Sequence, residues 1–296
     1  ARESSRRARN RSSCLPMNNF PRMIVSRRMS ARCRLILLSL LSGPLAMAAP
    51  AWQGELTSPA PGPFPALAPT VLDLKVSWKG TVNAGSIRME SAPPAAKKPG
   101  SLVIRSSSSS HGAASMLFPY QSSFWSELNP ATLRPRYFHA MEADKKETAT
   151  TTVRYFPDRV ESQETTRIFK TGTTKQTDRI FRLAPVFDIF SAMLHVRSQK
   201  LDAGDRITLV IHPFDNPYLL RVNVRGREIH NGRNTIRLTM GMHKIDRKTL
   251  ELLPYKKLKK DATLWLSDDA DRVPVELRAT AFIGDVRAIL TAHAQP

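Results

Sequence analysis

The chain has 296 residues, and its 45 Lys and Arg against 25 Asp and Glu give a formal charge of +20. Both cysteines, Cys14 and Cys33, lie near the N-terminus, which excludes a disulfide, a thiolate metal site or a cysteine nucleophile from everything after residue 48. Residues 1–48 hold ten arginines and one glutamate, yet the remainder keeps 35 basic residues against 24 acidic ones. That excess suits an anionic neighbour such as lipid headgroups or an acidic polymer, or serves solubility alone.

The first 48 residues predict an export signal. Residues 1–28 are rich in Arg and Ser and are expected to be a disordered or mis-annotated leader. Residues 29–48 combine two arginines, an apolar run too short to span a membrane and a small-residue cleavage site, which together predict a secretory signal peptide. We expect cleavage between Ala48 and Ala49. The mature protein is then exported, periplasmic or outer-envelope associated, and has no transmembrane segment.

Residues 49–70 contain six prolines among small residues, which favours extended conformations and predicts a Pro-rich linker. From Val71 onward the composition is that of a globular protein. Residues 71–292 are long enough to bury a substantial core. We expect them to form a single β-rich domain.

Apolar and polar residues alternate through much of that domain, with the period of half-buried strands. In the second strand the apolar phase changes between Val82 and Ile87, which predicts a β-bulge at Ala84-Gly85. Because each alternating strand has one wet face, the pattern favours antiparallel pairing. The other alternating runs are residues 72–78, 207–211, 220–224, 236–240, 273–281 and 286–290.

The closing hairpin, residues 272–290, is expected to be a principal core element. Its inward side chains are predicted to be buried, whereas Glu276 and Arg278 are predicted to face water. Pro274 has no amide proton to donate, so we expect it at an edge, at a strand start or at a bulge. The inward set is Val273, Val275, Leu277, Val286, Ala288 and Leu290.

Two segments have helical rather than strand periodicity. Residues 112–128 and residues 187–197 space their apolar side chains at three or four residues, which predicts two short amphipathic helices. The expected fold is therefore all-β with minor α content. We expect a curved antiparallel meander sheet, either a half-barrel or a sandwich, capped by the two helices.

No residue pattern in the sequence indicates a particular catalysed reaction. The sequence has no HExxH, GxSxG, GxxxxGK or GxGxxG motif. Asp268, Asp269 and Asp271 lack the spacing of a calcium loop, and Ser106–Ser110 beside His111 is more typical of a flexible loop than of a nucleophile and base. We expect no catalytic residues, no metal site, no cofactor and no nucleic-acid partner. The lysine run 256–260 is interpreted as a solvated loop, or as a contact to anionic lipid.

Four segments together resemble a bacterial exported family catalogued as domain of unknown function 3108. They are LDLKVSWKGTVNAGSIRME, FWSELNPATLRPRYF, VFDIFSAMLHVRSQKLDAGDRITL and LWLSDDADRVPVELRATAFIGDVRAIL, which span most of residues 71–290. The resemblance implies an exported all-β domain of uncharacterised function. The positions that match the family, without a known role, are Trp78, Gly85, Asp188, Ser191, Arg197, Asp269, Arg272, Pro274 and Gly284.

Three functions fit these observations. The first is a non-enzymatic envelope protein whose sheet binds a lipid, a lipidated chain or another hydrophobic ligand. The second is a structural or adaptor module that binds an anionic cell-wall polymer or another envelope protein. The third is a hydrolase whose acidic and histidine residues converge only in the fold. The sequence does not decide among them, nor does it give the oligomeric state.

Overall fold

The protein was studied as a computed structural model, which describes residues 49–64, 67–92, 100–256, 258–281 and 284–295. The predicted leader, the signal peptide with Ala48, and Lys257 of the lysine run lie outside the described residues.

Most of the described chain is β-strand. A 3-10 helix, Ala51–Glu55, precedes fifteen strands and two α-helices. In chain order the elements are β1 Thr70–Trp78, β2 Val82–Ala92, β3 Leu102–Ser110, α1 Gly112–Leu117, β4 Tyr120–Asn129, β5 Arg134–Asp144, β6 Glu147–Tyr155, β7 Val160–Ile168, β8 Thr174–Phe181, α2 Ile189–Ser198, β9 Arg206–Ile211, β10 Tyr218–His230, β11 Arg233–Ile245, β12 Leu252–Pro254, β13 Ala262–Ser267, β14 Pro274–Ala281 and β15 Gly284–Ala294.

The strands form one open, curved antiparallel sheet, which confirms the expected fold class. Its order is β8-β7-β6-β5-β4-β3-β2-β1-β15-β14-β13-β11-β10-β9, and β12 pairs with β11. Strands that are adjacent in sequence are mostly adjacent in the sheet, as short antiparallel connections require. Pairing of β1 with β15 joins the first eight strands to the last seven.

Helix α2 separates the two larger apolar clusters of the core. Phe190 and Leu194 pack with the cluster under β3–β7, and Ala192 and Val196 pack with the cluster on β9–β11 and β13. The N-terminus of the helix is capped by Asp188, whose carboxylate accepts from the amides of Phe190 and Ser191. Residues 187–197, predicted as the second helix, are therefore helical over most of their length.

The first predicted helix is only partly present. Residues 112–117 are helical, but β4 begins at Tyr120, so the prediction of a helix through Leu128 is wrong. Phe124 and Leu128 fit a helical period as well as a strand period. They form a strand because β4 pairs along its length with both β3 and β5. Ser106–Ser110, expected to be a loop, is likewise part of strand β3.

The Pro-rich segment differs from the expected spacer where it is described. The Trp52 side chain is buried in the core, and its indole nitrogen donates to the Leu250 carbonyl oxygen at 2.8 Å. The amide of Thr57 donates to the Thr208 carbonyl oxygen at 3.0 Å, and the amide of Phe64 donates to the Ser198 carbonyl oxygen at 3.0 Å. Residues 51–64 are therefore docked on the sheet and on α2.

The strand register shows where extra residues interrupt the pairing. Val76 pairs with Gly85 and Ser77 with Asn83, so Ala84 is the extra residue and the predicted β-bulge is confirmed. Four further register shifts, which were not predicted, occur in the described strands; one lies in β14, where Trp265 pairs with Glu276 but Leu266 pairs with Pro274.

The structure corrects part of the closing-hairpin prediction. Glu276 was expected to face water, but it is only 1% exposed, because the side chains of His230, Asn231 and Arg278 bond to its carboxylate and cover it. Pro274 is the first residue of β14 and lies beside the bulge, as a strand proline should. Val273, Val275 and Ala288 are buried, whereas Leu277 and Leu290 are partly buried against the small cluster around Leu72 and Leu74.

Candidate functional site

An apolar pocket of about 400 Å³ lies between α1 and the end of the sheet formed by β1, β2 and β3. Its volume is within the range of pockets that hold small ligands. None of its lining residues carries a charge; hydroxyl groups of Ser108, Ser110 and Tyr120 are among the few polar atoms. The pocket therefore favours an uncharged, mainly hydrocarbon ligand.

The strand register explains how the floor of the pocket is built. Val76 of β1 lies opposite Gly85 of β2, and Gly85 lies opposite Ser110 of β3. These three neighbouring residues form the floor of the pocket. The predicted bulge keeps Trp78 opposite Val82, with Val286 of β15 on the other side. These side chains continue the apolar face that begins at the cluster around Leu72 and Leu74.

Gly85 is required by close backbone packing. A Cβ atom added at this position would lie 2.3 Å from the carbonyl oxygen of Ser109 on the neighbouring strand. No side chain fits such a space without moving one of the two strands. The absence of a side chain at Gly85 therefore lets β2 and β3 pair closely in the floor of the pocket.

Helix α1 covers the pocket from one side. The amide of His111, which precedes the helix, donates to the Ala84 carbonyl oxygen at 3.0 Å. The Nε2 atom of His111 lies 2.8 Å from the Ser86 hydroxyl. These two contacts hold the start of α1 over the bulge of β2. The helix residues Ala113, Ala114 and Leu117 then form the wall of the pocket.

Two polar groups at the pocket are unusual. Among the described residues, the indole nitrogen of Trp78 and the hydroxyl of Ser77 are buried without a hydrogen-bond partner. The Tyr120 hydroxyl donates to Glu142 at 2.6 Å. Burial, followed by the interaction with Glu142, raises the pKa of Tyr120 well above its ordinary value. Tyr120 is therefore a neutral hydroxyl at the pocket edge.

The family-matching positions separate into two groups in space. Trp78 and Gly85 line the pocket, and Gly284 lies against Trp78, since a Cβ atom at Gly284 would be 2.9 Å from the indole nitrogen. The remaining six positions lie around α2 and the turn before β14. Trp78 and Gly85 therefore belong to the pocket, and Gly284 packs against it through Trp78.

Asp188 and Ser191 are structural. The Asp188 carboxylate is fully buried and also accepts from the Ser126 hydroxyl at 2.6 Å. Burial raises the pKa of Asp188, and the hydrogen bonds from Ser126 and Ser191 oppose that shift. The described hydrogen bonds to this carboxylate come from the first turn of α2 and from β4, which makes it an anchor for the helix.

Arg197, Asp269, Arg272 and Pro274 lie at the other end of α2. Arg272 donates to the carbonyl oxygens of Arg197, Gln199 and Lys200, and Arg197 donates back to the Asp271 carbonyl oxygen at 2.6 Å. Asp269 accepts from the amides of Asp271 and Arg272, which fixes the turn. Most of the described hydrogen bonds of these side chains are to main-chain groups, and the Arg272 guanidinium also lies 3.9 Å from the centroid of the Phe64 ring.

The described residues include no cluster of three or more His, Cys, Asp or Glu side chains able to hold a metal ion. Ser86 and His111 form a pair at the pocket rim, but both are exposed, and the described hydrogen bonds place no carboxylate on the imidazole. His195 and His212 are buried in the core, where burial lowers the pKa of each to about 4.

A second, more open groove of about 760 Å³ lies on β4, β5 and β6. Trp125 is 42% exposed there, and the Arg105 guanidinium lies 5.4 Å from its ring. The rings of Tyr137 and His139 are parallel, with centroids 6.5 Å apart. Arg136 and Arg154 complete this surface, which combines aromatic faces with positive charge. We call it the aromatic groove.

The sequence pointed to Trp78 and Gly85 but missed the rest of the pocket. The sequence predicted one helix over residues 112–128, which includes Leu117, Phe118 and Tyr120. It therefore did not predict that α1 ends at Leu117 and that β4 begins at Tyr120. Pro119 was the one available signal, because proline disrupts a helix interior.

No helix in the described part of the chain is long and apolar enough to cross a membrane.

Comparison with known proteins identifies a family for this chain. No curated protein matches it. A solved structure of a beta-barrel-like protein of domain of unknown function DUF1849 from Brucella abortus is similar, with 9% sequence identity, a TM-score of 0.48, and coverage of 77% of this chain and 97% of that chain. The family model described as Protein of unknown function (DUF3108) matches residues 73–291, well over half of the chain, and the chain therefore belongs to that family.

Proposed function

We propose that this protein is an exported, non-enzymatic binding protein of the envelope, and that its apolar pocket holds the hydrocarbon part of a lipid or lipidated molecule. The observation that carries the proposal is the uncharged pocket of about 400 Å³ beneath α1. Transfer of hydrocarbon from water into such a site is favourable by about 0.8 kcal/mol for each buried CH₂ group. A ligand of this kind needs no catalytic group.

A fluorescent acyl-chain probe tests the proposal. The purified mature chain should bind dansyl-labelled undecanoic acid with an increase in dansyl emission. Ala114→Trp, which places an indole in the pocket, should weaken binding by at least about tenfold. Ala131→Trp is the matched control, because Ala131 lies in an exposed turn and should leave binding unchanged. Equal binding by the two variants, or none by the unaltered chain, would contradict the proposal.

Native mass spectrometry of protein purified from its host supplies a second measurement. A bound lipid should appear as added mass and should be lost from Ala114→Trp. Sequencing the N-terminus of the same material tests the proposed export, since a cleaved signal peptide leaves Ala49 as the first residue. An intact leader on cytoplasmic protein would contradict export.

The aromatic groove favours a second candidate function, an adaptor that binds an anionic envelope polymer. Arginine is suited to carboxylate and phosphate groups, and exposed aromatic faces add contact area. Sedimentation with isolated cell walls tests this alternative. Trp125→Ala and Arg154→Ala should each reduce sedimentation if the groove is used. Binding that is unchanged in both variants would leave the lipid-binding proposal as the better account.

A further inference from the structure

Large apolar side chains are exposed in succession at the end of α1. Met116 is 76% exposed, Leu117 is 65% exposed and Phe118 is 51% exposed. Val82 and Tyr120, which are 45% and 37% exposed, are two further large exposed side chains at the same pocket. We call these five residues the apolar rim. A soluble domain rarely presents such a group unless it meets an apolar partner.

The apolar rim is continuous with the pocket. Val82, Leu117, Phe118 and Tyr120 have atoms that line the cavity, and Met116 lies next to Leu117 on the helix. Helix α1 has no acidic residue in its first turn and no basic residue in its last turn. An uncharged apolar edge therefore surrounds the opening through which a ligand would enter.

Charges of both signs lie beside this edge, where Glu142 accepts from the rim residue Tyr120 and two basic side chains lie at the turn after β1. The Lys79 ammonium is 5.9 Å from the centroid of the Trp78 ring, and the Arg287 side chain packs against Gly80 in the same turn. Arg287 is paired with Asp285, whereas Lys79 has no ion-pair partner in the described part of the chain. Residues 49–296 keep 35 basic residues against 24 acidic ones. Lys79 and this excess complement the negative surface of a membrane that contains anionic lipid.

The apolar rim is compact and surrounds the mouth of a pocket. A stable protein interface uses roughly 20–30 residues on each side and buries about 800 Å² per partner. Five apolar side chains at a pocket mouth suit a shallow contact better than a broad interface. Insertion of a few apolar side chains into the headgroup boundary of a bilayer, by contrast, gives reversible binding that anionic lipid strengthens.

We propose that the apolar rim docks on the surface of an anionic phospholipid bilayer, so that a hydrocarbon chain passes between the bilayer and the pocket without crossing water. The docking step stands on the exposed side chains and charges at the rim. Its purpose, ligand transfer, rests on the proposed lipid-binding function.

Vesicle sedimentation tests the docking step. The mature chain should sediment with vesicles of phosphatidylethanolamine and phosphatidylglycerol, and less with vesicles of phosphatidylcholine alone. The triple variant Met116→Ser, Leu117→Ser, Phe118→Ser should bind the anionic vesicles at least about tenfold more weakly. Ile229→Ser and Phe169→Ser are matched controls, because their side chains are 76% and 51% exposed at distant sites. Both controls should bind as the unaltered chain does.

Vesicle binding and acyl-chain binding are measured separately, so the docking proposal and the lipid-binding proposal can fail independently. Thermal melting checks that the triple variant is folded. Ala114→Trp should lose the acyl-chain probe yet still bind vesicles, which would support a docking surface distinct from the pocket interior. If the unaltered chain binds vesicles but not the probe, lipid binding fails while docking stands. If the triple variant binds vesicles as strongly as Ile229→Ser, or if the unaltered chain binds none, the docking proposal is overturned.

Discussion

The guanidinium of Arg272 donates to the carbonyl oxygen of Arg197 at 2.9 Å, and Arg197 donates to the carbonyl oxygen of Asp271 beside it at 2.6 Å. The two arginines are far apart in sequence, yet each satisfies main-chain oxygens in the segment that carries the other. Helix ends have unsatisfied carbonyl groups. This reciprocal pair fastens the C-terminal end of α2 to the turn before β14.

The first prediction concerns this pair. Arg272→Ala should destabilise the protein by about 2–4 kcal/mol, because the carbonyl oxygens of Arg197, Gln199 and Lys200 would lose a buried donor. Denaturant unfolding measures the loss. Arg206→Ala is the control, since Arg206 is exposed at the start of β9 and should have little effect. Equal stability of the two variants would show that the pair is not an anchor.

The second prediction concerns Glu276, whose carboxylate accepts from His230 at 2.6 Å and from Asn231 at 2.9 Å, and is paired with Arg278. Burial acts to raise the pKa of Glu276, but these partners outweigh it and hold the pKa below its ordinary value. Glu276→Gln should therefore cost about 1–3 kcal/mol near pH 7.

The sign of the pH dependence provides the check on Glu276. A depressed pKa contributes stability above the unfolded-state value, and this contribution is lost as the pH falls through the folded-state value. The difference in unfolding free energy between Glu276→Gln and the unaltered chain should therefore shrink in acid. A difference that stays constant with pH would show that the charge on Glu276 is unimportant.

Much of the fold could be predicted from period-two patterns. The strands around Trp78, Ile207, Val222 and Leu238 alternate cleanly, and the Ala84 bulge follows from a change of apolar phase. Helix α2 could also be predicted, because its apolar stripe has only a helical period. The burial of Glu276 could not, since it depends on His230 and Asn231, which reach its carboxylate only when β11, β13 and β14 pair.

The pocket was harder to predict than the sheet. Phe124 and Leu128 suit a helix or a strand, and the choice depends on pairing with β3 and β5, which local sequence does not determine. The serines of β3 have low strand propensity but are held between two ladders. The exposure of Leu117 and Phe118 runs against the usual burial of apolar side chains, so it becomes visible only in the structure.

The third prediction concerns Gly85 in the pocket floor. Gly85→Ala should cost about 1–3 kcal/mol, because the new methyl group would meet the Ser109 carbonyl oxygen and push β2 away from β3. It should also weaken binding of the acyl-chain probe. Gly54→Ala is a matched control, since an added Cβ atom there meets nothing within 4 Å. Thermal melting that shifts equally in both variants would contradict the close-packing argument.

The fourth prediction concerns the buried histidines. His195 is 0% exposed and His212 is 1% exposed, and burial, aided by the positive charges of Arg134 and Arg247 respectively, lowers the pKa of each to about 4. The unfolded chain has histidines with an ordinary pKa of about 6.5. Between these values the unfolded state binds more protons, so the stability of the folded state decreases as the pH falls from about 6.5 to about 4.

Each of these histidines should contribute on the order of 3 kcal/mol to that loss, an upper figure because nearby groups relax. Urea unfolding at a series of pH values measures it. His212→Phe removes one titrating group from a site beside Phe181, whose ring centroid is 6.2 Å from the imidazole. The variant should lose less stability than the unaltered chain between pH 6.5 and pH 4. Burial of a neutral ring is the cause of the loss, so a slope that His212→Phe leaves unchanged would refute the assignment.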